Sequence, residues 1–538
     1  MRHRVNSRGP NRIITLAVLL TAGILFSSCE LPLKGPAGED SAQSAPFDYS
    51  TTADVAVQGT FRTGSGDVMP GVPFFVYTEL PNSGVRPIAS GSSDANGGFS
   101  LTVNIPTAVT QLYLSVRHIG LPSLYRMPVS QHTAAFRSAE VVNQTLASYS
   151  GLQKVSMPKL KYLGDWTNNG TPKYLEKTPD IIDAALLARL DVSLPEAVPV
   201  TKHHPAYITT EDKSILIQER ADVWVTFIHE GAGYQNVLGF YTYPKGEPPA
   251  TPDDVKEITI VFPNASYEGS GGGLQSGDKV YIGRFDAGVE IGWALFSNGF
   301  SGGKLTAGNW MLFSSQQLNG VSDPALRQHT VLLNDVGFGR VILGFEDIKR
   351  TTGGDQDFND CLFSITSNPV KAIVVETLPE IDVPKDADAD GVSDAGDMFP
   401  NDPERAFISH TPAEGQFNTL AFEDLWPGKG DEDYNDLVMG YSTRVVTNAK
   451  NEAVDISTTY VVRAIGATNT LGFGVELPVD PSAIRSSSVS RAGLTKQPLN
   501  SNGTEAGQPN AVFILFDNAY EAMNHKGSKF LNTTAGSM

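Results

Sequence analysis

Residues 340–365 read RVILGFEDIKRTTGGDQDFNDCLFSI. Two apolar runs, VILGF and CLFSI, flank a polar segment that holds Glu346, Asp347, Asp355, Asp357, Asn359 and Asp360. Such a pattern predicts strand, Gly/Asp-rich loop, strand. Working outward, the same grammar repeats. SILIQ, VWVTFIHE, VLGFYTY, EITIVF, KVYIGRF, VEIGWALFS, NWMLFSS and HTVLLND precede it, separated by Gly, Asn, Asp and Pro. Residues 211–368 therefore read as one antiparallel, jelly-roll-like sandwich. Strand runs return from Leu420 to Phe516, in LVMGYSTRVV, STTYVVRAIGA, LGFGVELP and NAVFILFD. The expected fold class is mostly β and multi-domain: antiparallel β-sandwiches, a linker between them and one short helix.

The opening stretch recurs within the chain. FEDLWPGKGDEDYNDLVMGY, from Phe422, shares Phe-Glu-Asp, then Gly-Asp-x-Asp-aromatic-Asn-Asp, then an apolar strand. The first copy has one more loop residue before its Gly-Asp. Asp355, Asp357 and Asn359 alternate, as do Asp431, Asp433 and Asn435. In a strand they share a face; in a loop they can wrap a centre. Glu346, Asp347 and Asp360 of the first copy, and Glu423, Asp424 and Asp436 of the second, lie close by if each segment is a hairpin. Clustered hard oxygens suit Ca²⁺, which takes six to eight of them. The other reading is a polar hairpin tip whose carboxylates cap backbone amides.

Between the copies lies DADADGVSDAGD, Asp386 to Asp397. Numbered from Asp386, it matches a calcium-loop template. Asp386, Asp388 and Asp390 take positions 1, 3 and 5. Gly391 makes the sharp turn, Val392 offers its carbonyl, Asp394 takes position 9 and Asp397 closes the loop. Asp replaces the usual bidentate Glu, and Pro384 and Pro400 exclude flanking EF-hand helices. Calcium here would make a stiff joint between two β domains, with Asp402 in a second, incomplete site.

The N-terminus carries Arg2, Arg4, Arg8 and Arg12, then the apolar run Ile14–Phe26, too short to span a bilayer comfortably, then Ser27, Ser28 and Cys29. Residues 1–28 read as a signal peptide and 29–52 as a Pro/Gly-rich tether. Residues 53–160 alternate in short strands and read as an Ig-like sandwich. Residues 161–210 read as a helix, TPDIIDAALLARLD, capped by Thr178 with Ile181, Ile182, Ala185, Leu186 and Leu190 on one face, followed by a Pro-broken linker in which His203 and His204 are exposed. Residues 369–405 read as a linker holding the acidic loop, and 406–538 as a C-terminal β domain. Only two cysteines occur. Cys361, in the alternating apolar run FNDCLFSI, reads as a buried, inert strand residue. A net charge of −19 argues against nucleic acid as a partner.

Ser27-Ser28-Cys29 resembles the lipobox of bacterial lipoproteins, with Phe26 where Leu is usual. The resemblance implies cleavage before Cys29, lipidation there and membrane anchoring; Glu30, in place of a retention Asp, favours the outer membrane. SDANGGFSLTV resembles carboxypeptidase-regulatory-like and related Ig-like modules. The first copy, with VWVTFIHEGAGYQNVLGFYTY upstream, resembles a bacterial domain of unknown function ending in FED…GGDxDYND. The second copy, with VVRAIGATNTLGFGVEL after it, resembles the LruC domain of bacterial lipoproteins. DxDxDGVxDxxDxFPxDPxRAF is similar to a thrombospondin type-3 repeat. Together these imply a β-rich envelope lipoprotein.

Enzyme signals are weak. Gly299–Gly303 matches GxSxG, but no helix follows as a nucleophile elbow requires. His229-Glu230 lacks the second His of HExxH, Gly233 standing in that place, and His229 reads as a strand-end surface residue. GSGGGLQSGDK lacks the end of a P-loop. The expectation is a non-enzymatic, calcium-binding outer-membrane lipoprotein with a structural, adhesive or partner-binding role, facing the periplasm or the cell surface and open to a protein or glycan partner. The alternative is a polysaccharide-binding or polysaccharide-modifying surface protein.

Overall fold

The computed structural model describes residues 51–81, 84–138, 141, 158–208, 213–231, 233–394, 396–412, 414–425, 428, 430–490, 493–523 and 531–532. The expected signal peptide (residues 1–28), Cys29 and most of the expected tether lie outside the described residues. The chain is mostly β and multi-domain, with α-helices confined to short segments. Among the described residues no helix is long and apolar enough to cross a membrane.

The central sandwich has two sheets. One runs Lys279–Phe285, Ala221–Glu230, Cys361–Asn368, Arg340–Phe345, Thr330–Asp335. The other runs Trp310–Phe313, Val289–Ser297, Val237–Pro244, Glu257–Phe262, Lys159–Tyr162. Val223, Val225, Phe227, Leu343, Phe345 and Phe363 of the first sheet meet Leu238, Phe240, Phe262, Trp293 and Leu295 of the second in a dry core. A bulge between Phe227 and His229 shifts the register, pairing His229 with Leu362, while strand alternation points Ile228 to the face opposite Phe227. There Ile228, Val331, Leu333, Ile342 and Leu362 join a second core. Burial on both faces accounts for the nearly continuous apolar runs of these strands.

That second core merges what the sequence divides. The N-terminal strands form a sheet in the order Ala89–Ser92, Pro73–Tyr77, Gln111–Val116, Leu124–Ser130, Thr133–Ala135, Thr52–Thr60, Gly98–Pro106. Its interior holds Phe61 stacked on Phe99 at 4.9 Å. It continues without a break into Ile182, Leu186, Leu187, Leu190 and Leu194, and through them to the outer face of the central sheet. The helix spans Ala184–Ser193 and is capped by Asp183, whose side chain accepts from the Leu186 amide at 2.7 Å. Thr178 is not the cap, and Ile181, expected on the apolar face, is exposed. The reason is competition: Asp180 is held by Lys279 and Thr226, which keeps the preceding turn extended along the sheet.

Three boundaries shift accordingly. Lys159–Tyr162 is a parallel edge strand of the central sandwich. The segment of 161–210 around His204 is tied down: His204 lies 2.5 Å from Asp382 and stacks on Tyr207. The first part of 369–405 belongs to the central domain too, since Ile373 and Ile381 are buried and Asn334 bridges Glu380.

The C-terminal region pairs Phe407–Thr411 and Asn418–Phe422 with Leu437–Thr447, and Leu437–Thr447 with Ala453–Ile465. Phe473–Leu477 and Ala511–Phe516 form a separate two-stranded antiparallel sheet. The two FED copies share a tertiary arrangement as well as a motif. In each, the FED strand and a third strand flank the strand after the loop. That third strand is followed by a glycine whose amide bonds the closing Asp carbonyl: Gly231 to Asp360 at 3.0 Å, Gly466 to Asp436 at 3.2 Å. Yet the third strand precedes the motif in the first copy and follows it in the second. The repeat is circularly permuted.

Candidate metal centres

The first FED loop is built by alternation. Gly354, Gln356 and Phe358 adopt left-handed φ values of 84, 63 and 62°. The intervening Asp355 and Asp357 therefore swing to one side. The second copy repeats this with Gly430, Glu432 and Tyr434 at 56, 55 and 53°. Backbone contacts match: Asp347 N donates to Asp360 at 2.8 Å and Asp424 N to Asp436 at 2.7 Å. Asn359 N donates to Asp357, and Asn435 N to Asp433, both at 3.2 Å. The segments are loops, so the carboxylates wrap a centre rather than line a strand.

Their surroundings differ. In the first copy the chain after the helix closes over the loop. Ala197 N donates to Asp357 Oδ2 at 2.8 Å, Asn359 Nδ2 to the Leu194 carbonyl at 2.9 Å and Val200 N to the Gln356 carbonyl at 2.9 Å. This delivers Glu196, so that carboxylate oxygens of Glu196, Asp355 and Asp357 lie within 4.8 Å of one another. Glu346 is wholly buried beside them. The Phe358 amide faces it, but neither oxygen has a partner in hydrogen-bonding geometry. Arg350 directs its guanidinium to Gln356 and the Ala325 carbonyl instead. Burial first, then Asp357, Asp355 and Asp347, push Glu346 up to about 9. Burial and Asp355 push Glu196 up to about 7. Burial, followed by neighbouring acids, raises Asp357 and Asp360 well above the carboxylate range. Asp347, beneath, accepts from Asn236 at 2.7 Å and is pushed up to about 7 by burial; its Oδ1 has no partner. Two unit charges 4.8 Å apart repel by about 3 kcal/mol at an effective dielectric near 20, and less where Asp355 meets water. Such a group needs protons or a cation.

In the second copy Asp431 and Asp433 are exposed, and Glu423 accepts from the Tyr434 amide at 2.5 Å and the Glu432 amide at 3.3 Å. Glu423, Asp431 and Asp433 also gather within 4.8 Å. Asn435 donates its side-chain amide to Asp433. Asp424 accepts from Asn469 at 2.9 Å. Burial raises Asp436, with Asp424, Glu423 and Asp431 adding to it.

The acidic loop gathers Asp386, Asp388 and Asp390 within 4.8 Å. Gly391, at φ 98°, makes the turn the template requires. Each Asp spends one oxygen on the loop backbone: Asp386 accepts from Gly391 N at 3.0 Å, Asp388 from Asp390 N at 3.2 Å, Asp390 from Val392 N at 2.8 Å and Asp397 from Phe399 N at 2.7 Å. The second oxygens of Asp388, Asp390 and Asp397 are buried without a partner. Asp397 is pushed up to about 6 by burial, then by Asp390, Asp388 and Asp386, which places it with the trio. Asp394 turns away, and its carboxylate takes the Ala387 amide at 2.7 Å. Val392 buries its side chain against Ala406 and Phe407. Asp402, expected in a second site, is bound to Arg405 at 2.6 Å, which also holds Asp455. A methyl built on Gly71 would lie 3.9 Å from Val392, and Asn451 donates to the Ser92 carbonyl at 2.8 Å. The loop therefore sits where the N-terminal sandwich also meets the C-terminal region, a three-way junction rather than a two-domain joint.

Glu196 escaped the sequence reading. Its only signal was an acidic residue set between Pro195 and Ala197, the latter at a left-handed φ of 60°. His229 was misplaced at the surface: it is buried, accepts from Gly120 N at 3.1 Å and is lowered by burial to about 3. His203, His204 and Asp382 also cluster within 4.8 Å. Ser301 of the GxSxG match sits in a two-stranded hairpin and is exposed. Cys361 is fully buried, its thiol pushed up by burial.

Comparison with protein families matches residues 52–138, 285–368 and 451–538 to three separate domains of unknown function (DUF8469, DUF4114 and DUF4842). The middle match begins at residue 285, although the sandwich it belongs to starts well before it. No curated protein and no solved structure matches the chain.

Proposed function

We propose that this chain is a non-enzymatic, calcium-binding envelope lipoprotein, held at the outer membrane through Cys29. Calcium at Asp386, Asp388, Asp390 and Asp397 locks the C-terminal β region against the body formed by the N-terminal and central sandwiches. One observation carries the reading: Asp388 and Asp390, each with a buried carboxylate oxygen that lacks a partner, cluster with Asp386, and Asp397 adds a third such oxygen, in a loop whose backbone turns as a calcium loop does. The likeness to thrombospondin type-3 and LruC sequences points the same way. The rigid body so formed would present its outer surface to a protein or glycan partner. Calorimetric titration of the chelator-stripped chain with CaCl₂ tests this: the Asp388→Ala/Asp390→Ala variant should lose one equivalent, and equal binding by both proteins would end the proposal.

A specific feature favours a second reading. A groove of about 370 Å³ at the central sheet is lined by Trp224, Phe338, Lys279 and Asp180, with Tyr281 packed on Trp224 at 5.4 Å. Aromatic faces beside charged groups suit a sugar ring. Glycan-array binding that is lost in Trp224→Ala would establish polysaccharide recognition.

A further inference from the structure

The geometry points to a second divalent-cation site, separate from the acidic loop, with Asp355, Asp357 and Glu196 as ligands and Glu346 closing its inner side. The ion is calcium. Three observations converge. The three ligand carboxylates come within 4.8 Å of one another. Glu346, fully buried, offers two oxygens that no donor satisfies. Gly354 leaves room for it, since a methyl at that position would stand 2.1 Å from Glu346 Oε1. An all-oxygen donor set on an irregular loop suits calcium's high and flexible coordination better than magnesium's strict octahedron.

The site has a structural consequence that the second FED copy lacks. Glu196 lies between Leu194, which ends the helix, and Val200, both bonded to the FED loop. A cation there ties three elements together: the central sandwich, the closing segment, and through the helix the core of the N-terminal sandwich. Among the described residues the second copy has no such fourth acid beside its trio. The two copies thus differ in a testable way, as a pinned site and an exposed one.

The test uses the full chain, stripped of metal and titrated with CaCl₂ in the Asp388→Ala/Asp390→Ala background, so that the acidic loop does not contribute. Failure there is separable from failure of the loop proposal, which is read in the otherwise wild-type chain. Glu196→Gln should weaken one calcium-binding event by roughly tenfold, and Asp355→Asn/Asp357→Asn should remove one equivalent. Limited proteolysis supplies a second readout: calcium should protect residues 194–200 in the parent and fail to protect them in Glu196→Gln. Glu196→Gln is nearly isosteric, so its unchanged far-ultraviolet circular dichroism keeps the comparison valid should the double Asn variant not fold. Unchanged affinity together with unchanged protection in Glu196→Gln would overturn the site and leave shared protons as the means by which the cluster is neutralised.

Discussion

Gly120 and Leu187 allow the fused core to be tested by a double-mutant cycle. Gly120 sits at a left-handed φ of 96°, and a methyl added there would lie 2.5 Å from Leu187 Cδ1. Leu187 is 1% exposed in the core shared by the N-terminal sandwich, the helix and the central sheet. Gly120→Ala should cost about 1 kcal/mol for the backbone conformation and about 2 kcal/mol for overpacking. Leu187→Ala should cost about 3 kcal/mol through lost burial and a residual cavity. In the double variant the new methyl enters that cavity, so the overpacking disappears. The pair should then cost about 4 kcal/mol rather than 6, a coupling well above the roughly 0.5 kcal/mol seen between independent sites. Urea unfolding of the four proteins, followed by tryptophan fluorescence and by circular dichroism, measures this. Both probes should report one coincident transition. Additive costs, or two separated transitions, would show that the N-terminal module is an independent bead and that the continuous core is not an energetic unit.

Other expectations follow from single groups. His229 is neutral in the fold down to about pH 3, whereas the unfolded chain protonates near 6.5. The unfolded state therefore binds more protons between these values, and stability falls as pH drops through that window, by up to about 1.4 kcal/mol per unit. Urea midpoints at pH 7.0, 5.5 and 4.5 should fall more steeply for the parent than for His229→Gln; parallel slopes would refute the assignment. Gly466→Ala should destabilise the C-terminal sheet by about 1–3 kcal/mol, because a methyl there would lie 1.7 Å from Asn435 Oδ1; hydrogen exchange at Leu437–Thr447 reads the effect, and unchanged protection would contradict it. Gly354→Ala combines a φ of 84° with intrusion on Glu346. It should abolish calcium binding at the first FED loop while leaving the acidic loop intact, as read by the calcium stoichiometry.

Much of this architecture was legible in the sequence, because strand periodicity survives wherever a sheet buries one or both faces. Every strand run named in the central domain corresponds to a strand, from Ile215–Leu216 to Arg340–Phe345. The FED repeat was legible because its geometry depends on residue type: glycine at the left-handed position, then Asp on alternate residues. What stayed hidden depends on long-range contact. Lys159–Tyr162 looks like an exposed tail until Glu257–Phe262 lies beside it. Thr178 is as good a cap as Asp183 locally; the choice is made by Lys279 and Thr226 holding Asp180. Glu196 becomes a candidate ligand only when the closing segment folds onto residues far along the chain. His229 reads as a surface residue until the Gly120 amide reaches it from another module. The permutation of the FED copies was equally invisible, since the motif does not contain its third strand.

The junction itself can be measured directly by pulsed electron–electron resonance between spin labels at Thr110→Cys in the N-terminal sandwich and Ser457→Cys in the C-terminal sheet, both exposed positions, in a Cys29→Ser chain. With saturating calcium the distance distribution should be narrow, and chelation should broaden it, while Asp388→Ala/Asp390→Ala should stay broad at any calcium concentration. A distribution identical with and without calcium would contradict the claim that the ion at Asp386–Asp397 fixes the C-terminal region in place.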